Sequence, residues 1–207
     1  MNDVDRIYSA SIKWLAYTPL ASMTVEEKKI IVRDMLYLLF TFLTPSKCAL
    51  LSQEVYSFGE ILTPEIREVA AMGGYTWLYS LLMIVNKGEV AKWNEAKELY
   101  RSLMQEDESF QGKMDVVNEK VALLALLELV FHRPTTERVL SFTEIANCCQ
   151  IQKDMVVACG GVDGQIEYFL IRGASLGLFQ CQINQIEEKV VFTWLQPRVG
   201  ILTGCQG

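Results

Sequence analysis

Leu140-Ser141-Phe142-Thr143-Glu144-Ile145-Ala146 opens the stretch, running on to Trp194, whose reading decides the fold. Ser141 and Glu144 stand three residues apart just before an apolar pair. In that spacing a side-chain oxygen takes one orphan N–H at a helix start, and the carboxylate reaches back to another. A short helix is therefore predicted to about Cys149, with Gln150-Ile151-Gln152 as a turn. A second helical stretch is best formed from Ile166 to Leu176, where Ile166, Phe169, Leu170 and Gly173 share a face. Gly177 is its stop signal. Leu178 to Ile183 and Val190 to Leu195 then read as strands, joined by the polar loop Asn184 to Lys189 into a β-hairpin. Helix, turn, helix and two-stranded hairpin together make a winged helix-turn-helix.

Upstream, helix follows helix. Val4 to Tyr17 carries Ile7, Tyr8, Ile12, Trp14 and Leu15, and Thr18-Pro19 breaks it. Thr24 and Glu27 form a second capping-box pair and start a long helix to about Phe42. Its C-terminal end is apolar nearly all round, so it is expected to be deeply buried. Thr44-Pro45-Ser46 reads as its end and Cys48 to Tyr56 as a short helix. Thr63-Pro64-Glu65 is a strong start, with Thr as N-cap, Pro at the first helical position and Glu in the first turn. That helix runs to about Ala71 and Gly73-Gly74 breaks it. Trp77 to Val85 makes another, with Gly88 as C-cap. Glu89 to Met104 shows a helical stripe of Val90, Trp93, Ala96, Leu99, Tyr100 and Leu103. Asp107-Glu108-Ser109 is a loop, and the next long helix spans about Gln111 to Phe131. Gly59 suggests a tight turn that sets Phe58 against the following helix as a packing motif. Short spacing between so many helices implies stacked antiparallel pairs, although no clean sequence period is visible.

Composition bounds the function classes. The 207 residues are 51% hydrophobic and 21% charged, enough for one large or two small domains with a real core. The net charge is −6, which does not suggest binding to a phosphate backbone. Over Leu140 to Gln196 three basic residues (Lys153, Arg172, Lys189) face six acidic ones, and Glu187-Glu188 occupies the wing tip, where a DNA-binding wing would carry Lys or Arg. The acidic N-terminus, Met1-Asn2-Asp3-Val4-Asp5, reads as neither a signal nor a transit sequence. The apolar runs Ile30 to Leu43 and Val121 to Phe131 are too short or too charged to span a membrane and read as core helices. The six cysteines (Cys48, Cys148, Cys149, Cys159, Cys181, Cys205) include no C-x-x-C pair, so free buried thiols in a reducing compartment are expected.

No catalytic, cofactor or metal constellation is found. His132, the one histidine, falls at a helix end, where a positive charge suits the dipole, and has no His/Cys/Asp cluster near it. Gly160-Gly161-Val162-Asp163-Gly164 lacks the Lys-Ser/Thr of a phosphate loop and reads as an ordinary loop. Phe179, Val190, Phe192 and Trp194 alternate on the hairpin and are expected to cover its core. By the same alternation Gln180, Gln182, Val191 and Thr193 face outward. An unpaired strand edge there invites pairing by another chain.

"LSFTEIA" (Leu140 to Ala146) followed by "ASLGLFQCQINQIEEKVVFTWLQPRV" (Ala174 to Val199) resembles the winged-helix half of a PCI domain. Three further pieces agree in order: "YSFGEIL" at Tyr56 to Leu62, "GEVAKWNEAKELY" at Gly88 to Tyr100 and "EKVALLALLELVFHRP" at Glu119 to Pro134. The PCI family supplies scaffold subunits to the proteasome lid, the COP9 signalosome and the third translation initiation factor, and the lid members fit best. The resemblance implies a mostly α fold: helical repeats of antiparallel pairs over residues 1–134, a winged helix over 135–199 with a small hairpin, and a short tail over 200–207. It also implies a non-catalytic scaffold, cytoplasmic and nuclear. Its partners would be other lid subunits, with no nucleic acid, membrane, small-molecule substrate or cofactor. PCI subunits assemble side by side through their winged helices, which makes Gln180, Gln182, Val191 and Thr193 the expected contact edge. Two departures stand out. Met155 to Gln165 is an apparent insertion whose glycines, at about 1 kcal/mol each inside a helix, predict a loop. Family members also continue into further N-terminal repeats and a long C-terminal helix that Gly200 to Gly207 cannot make, so a PCI core is expected.

Overall fold

The computed structural model describes residues 42–134, 137–150 and 162–197, together with Lys13 and Thr24. The helices expected at Val4 to Tyr17 and from Thr24 toward Phe42 fall outside the described residues, as do most of the Met155 to Gln165 stretch and the tail. Among the described residues the chain is mostly helical, with one three-stranded antiparallel sheet near its C-terminal end.

Helix α1 spans Thr44–Leu51. The sequence reading ended a helix at Thr44-Pro45-Ser46 and began the next at Cys48. Instead Pro45 lies in the first turn, where its missing N–H costs little. The helix also stops earlier than expected. Ser52 turns extended, and its hydroxyl accepts from the Glu54 and Val55 amides at 3.0 and 3.3 Å, offering the backbone an alternative to another turn. Helix α2, Pro64–Met72, begins as read, with the Thr63 hydroxyl accepting from Ile66 N. Helix α3, Thr76–Lys87, ends on Gly88 at φ 64°.

The stripe read as one helix from Glu89 to Met104 is two: α4, Val90–Leu99, and α5, Arg101–Glu106. The break falls at Tyr100 (φ −103°, ψ 17°), whose ring packs on Trp77 at 6.1 Å between centroids. The change of direction buries Trp93, Ala96 and Met104 but leaves Leu99 and Leu103 exposed, at 74% and 41%. Asp107-Glu108-Ser109, read as loop, forms a 3-10 turn over Glu108–Phe110, with the Asp107 carboxylate accepting from Ser109 N.

Helix α6, Met114–Phe131, is the longest helix among the described residues. Its apolar residues lie on nearly every side, and a helix of that kind must be surrounded. Nine of its residues are buried. It touches α1, α3 and α4 as well as the helix Phe142–Cys149 and the strand Lys189–Leu195 of the C-terminal elements.

Those C-terminal elements are β1 (Val139–Ser141), α7 (Phe142–Cys149), α8 (Val162–Ser175), β2 (Phe179–Asn184) and β3 (Lys189–Leu195). The capping box opening α7 is formed in full: Ser141 Oγ accepts from Glu144 N at 3.2 Å, and Glu144 Oε2 accepts from Ser141 N at 2.8 Å. Arg133 ties the incoming chain to it, bonding Val139 O at 2.7 Å and Glu144 Oε1 at 2.6 Å. Helix α8 begins earlier than read, so Val162, Asp163 and Gly164 are helical rather than loop. Glycine's penalty of about 1 kcal/mol each is small enough for a cooperative 14-residue helix to carry both Gly164 and Gly173. Gly173 on α8 is a close approach: a Cβ there would meet the Phe179 ring at 2.5 Å.

A single buried core, from Phe42 to Phe192, runs through the N-terminal helices and the C-terminal elements alike. Polar contacts cross the same boundary, including Arg172 Nε to Glu119 Oε1 at 3.0 Å and Asn94 Nδ2 to Gln150 Oε1 at 2.9 Å.

The box sets a modest prediction. Ser141→Ala is expected to cost about 1 kcal/mol, read as a shift in denaturant midpoint. The Ser141 amide, then the Arg133 guanidinium, hold the Glu144 carboxyl below its usual range. A depressed carboxyl stabilises the fold above its unfolded pKa, and that contribution fades as pH falls through the folded value. Glu144→Gln is therefore expected to flatten the acid limb of a stability–pH profile. An unchanged limb would show that the box carries no such linkage.

Candidate docking surface on the C-terminal sheet

The sheet order is β1-β3-β2. The sequence reading saw a two-stranded hairpin and missed β1. The omission matters, because β1 takes the outer side of β3: Val139 pairs with Val191, Leu140 with Val190 and Ser141 with Lys189. Of the two hairpin strands only β2 is therefore an edge strand, with β3 as its one neighbour among the described residues, while the three-residue β1 forms the opposite edge.

The four expected contact residues separate accordingly. Gln180 and Gln182 lie on the edge strand and are exposed. Val191 is exposed but sits mid-sheet, opposite Gln182 on one side and Val139 on the other. Its backbone offers no edge, and it belongs to the outer face instead. Thr193 is the extra residue of an irregularity: Gln180 pairs with Trp194 while the next residue, Cys181, pairs with Phe192. Its hydroxyl donates to Gln180 O at 3.2 Å.

A bulge re-aims every side chain beyond it. Phe192 and Phe179 stay inside, their rings edge-to-face at 5.2 Å. Trp194, expected with them in the core, is turned outward and is 43% exposed.

Beside the β2 edge lies a groove of about 570 Å³ between α8 and the hairpin, lined by Glu167, Ile171, Gln182, Ile183, Ile186 and Val191. Ile171 is 61% and Ile186 is 96% exposed. Tyr168, on the same helix, is also exposed. No local pattern marks these apolar residues as a surface, since Ile171 lies within a helix and Ile186 in a polar turn.

The electrostatics are acidic. Glu167 lines the groove, and Glu187 and Glu188 stand exposed at the turn. Lys189 is 3.3 Å from Glu187, and Arg172 is paired with Glu119 on α6. Burial pushes the Cys181 thiol up, so it behaves as a small apolar group. The groove thus combines apolar walls with a negative rim.

His132 caps α6 from outside, Nδ1 lying 2.8 Å from Glu128 O, with its side chain mostly exposed. Among the described residues no group of three or more His, Cys, Asp or Glu is placed to hold a metal ion. No described helix is long and apolar enough to cross a membrane.

No family model matches the chain. Curated relatives do. The 26S proteasome non-ATPase regulatory subunit 13 of Dictyostelium discoideum is 24% identical over 96% of this chain and 46% of its own length. The 26S proteasome regulatory subunit RPN9 of Saccharomyces cerevisiae is 29% identical over 96% of this chain and 44% of its own. The Arabidopsis thaliana homolog B of subunit 13 is 24% identical over 95% and 46%. The chain thus resembles these regulatory subunits from end to end while spanning about half their length.

Proposed function

From that resemblance we propose that the chain is a PCI-type scaffold subunit of the lid of the 26S proteasome regulatory particle, serving ubiquitin-dependent degradation by assembly rather than by chemistry. In this reading α1 to α6 are the end of a helical-repeat stack, and β1 through β3 with α7 and α8 form the winged helix. The observation that carries it is the free β2 edge beside an apolar, acid-rimmed groove. Backbone groups along β2 can accept a neighbour's strand. The exposed Ile171 and Ile186 supply apolar area alongside. Glu167, Glu187 and Glu188 favour a basic neighbour and disfavour nucleic acid. Gln180 and Gln182 are then edge contacts, and Val191 and Thr193 contribute through the exposed face. The partners are other lid subunits, in cytoplasm and nucleus.

The test is affinity purification of the tagged protein from its own cells, with quantification of lid subunits, beside an Ile171→Lys/Ile186→Lys variant. Both side chains are exposed, so the fold should hold by circular dichroism. Recovery of lid subunits with the unsubstituted protein, falling at least about tenfold in the variant, is expected, since a central interface residue is worth more than about 1.4 kcal/mol. Equal recovery by both forms would remove the groove from the interface. Absence of lid subunits from both, or salt-sensitive binding to duplex nucleic acid, would overturn the scaffold reading.

A further inference from the structure

Cys148 and Cys149 end α7, and both thiols are turned toward α6 rather than to opposite sides of the helix. Cys148 Sγ is 3.7 Å from Ala125 O and Cys149 Sγ is 3.5 Å from Ala122 O, one helical turn apart on the same face of α6. Cys148 is partly exposed, while Cys149 is buried beneath it. The residue that follows, Gln150, takes a left-handed conformation at φ 48°, so α7 cannot simply continue past the pair.

Two thiols side by side have two outcomes open to them, and geometry separates these. A disulfide wants Cα atoms about 4.4–6.8 Å apart, whereas consecutive residues across a trans peptide stand about 3.8 Å apart. The described residues contain no cis peptide bond that would alter this. Direct S–S closure is therefore disfavoured while α7 keeps its last turn. A bridging atom with long bonds to sulfur escapes that restriction, because the two sulfurs need not touch. Soft thiolates are the ligands soft, thiophilic centres select.

We propose that Cys148 and Cys149 form a two-thiol chelating site for a trivalent thiophilic centre, of which an organoarsenical is the simplest. The reaction balances without an oxidant: R–As=O plus two thiols gives R–As(S–Cys148)(S–Cys149) plus water, the two thiol protons leaving with the arsenical oxygen. Cys148 is the entry point, being the accessible sulfur. Its hydrogen bond with Cys149 draws it down to about 7, so a thiolate is available at neutral pH. Cys149, held well up by that same interaction and by burial, is the second to bind. The chelate replaces both thiol contacts to α6, so occupancy acts on the seam between α7 and α6.

The probe is phenylarsine oxide on the folded chain at neutral pH, with adducts located by peptide mass spectrometry. One adduct on the Cys148–Cys149 peptide is expected. It should survive excess monothiol and be released by a vicinal dithiol. Cys148→Ser and Cys149→Ser each keep a donor for the Ala125 or Ala122 carbonyl, and circular dichroism checks their fold. Each should lose the monothiol-resistant adduct at least about tenfold, because a chelate gains from its second bond at high effective concentration. A wild-type adduct washed away by monothiol, or one retained by either Ser variant, would overturn the site. Ready formation of a Cys148–Cys149 disulfide under brief mild peroxide would overturn the geometric argument for a bridged rather than direct link.

Discussion

Gly88→Ala is expected to be among the most damaging single-methyl changes in the described chain. Gly88 ends α3 in a left-handed conformation, φ 64°, where an L side chain costs about 1–2 kcal/mol. It is also pressed against α6. A Cβ would fall 2.4 Å from Ala125 N, 2.6 Å from Ala125 Cα and 2.6 Å from the Leu124 carbonyl carbon. These are backbone atoms of the central helix and cannot swing aside as a side-chain tip would. Overpacking adds about 1–3 kcal/mol, so the total is about 3 kcal/mol. At about 2–4 °C per kcal/mol for a chain of this size, the melting temperature should fall by roughly 10 °C. Gly74→Ala is the internal control. Its φ of 76° imposes the same backbone penalty, but nothing lies within 4 Å of the added Cβ. The difference between the two variants therefore isolates the α3–α6 approach. Equal losses in thermal or denaturant unfolding would show that α3 can slide off α6 and that no tight seam exists there.

Gly88 also shows what kind of information a sequence carries. That a glycine at this point stops a helix follows from its neighbours, and so do the Thr63-Pro64 start and the Ser141–Glu144 capping box. All three are contracts between residues a few positions apart, and the structure bears them out. That Gly88 additionally touches Ala125 depends on how two helices pack, and no local pattern announces it. The misreadings share that origin. β1 is three residues long, and it is a strand because β3 offers it a partner. Trp194 faces solvent because of a bulge that exists only in the register of β2 on β3. The break at Tyr100 goes with a ring seated on Trp77. At the candidate surface, outward alternation correctly exposed Gln180, Gln182, Val191 and Thr193. That β2 and not β3 is the hairpin's edge strand was a question of sheet order, and sheet order is set by long-range pairing. The apolar groove was equally hidden, since Ile171 and Ile186 come together only when α8 packs on the hairpin.

Lys120→Ala is expected to cost still more, about 4 kcal/mol, with Lys120→Met intermediate at about 2 kcal/mol. Lys120 is fully buried on α6 among apolar neighbours, an unusual place for an ammonium group. Its Nζ donates to Ala49 O at 2.5 Å. Ala49 is among the last four carbonyls of α1, which find no donor inside their own helix, and a cation at a helix C-terminus also meets the negative end of the dipole. The same Nζ lies 5.3 Å from the Tyr56 ring centroid and 5.7 Å from that of Phe58. Aromatic faces at that range offset part of the cost of desolvating a cation. Burial is deep enough to push the Tyr56 hydroxyl up to about 12, with Glu119 adding to the rise and Arg172 opposing it. Lys120 therefore joins three separate segments, the end of α1, the Tyr56–Phe58 segment and α6, through one group. Methionine keeps most of the volume but leaves Ala49 O without that donor, whereas alanine adds a cavity. Denaturant unfolding of the three forms resolves the contributions. If methionine matched the lysine, the ammonium would be mere filling and the carbonyl satisfied some other way. If methionine were as damaging as alanine, the amine and its bond to Ala49 O, rather than the packing of the stem, would be what fastens α1 and the Tyr56–Phe58 segment to the central helix.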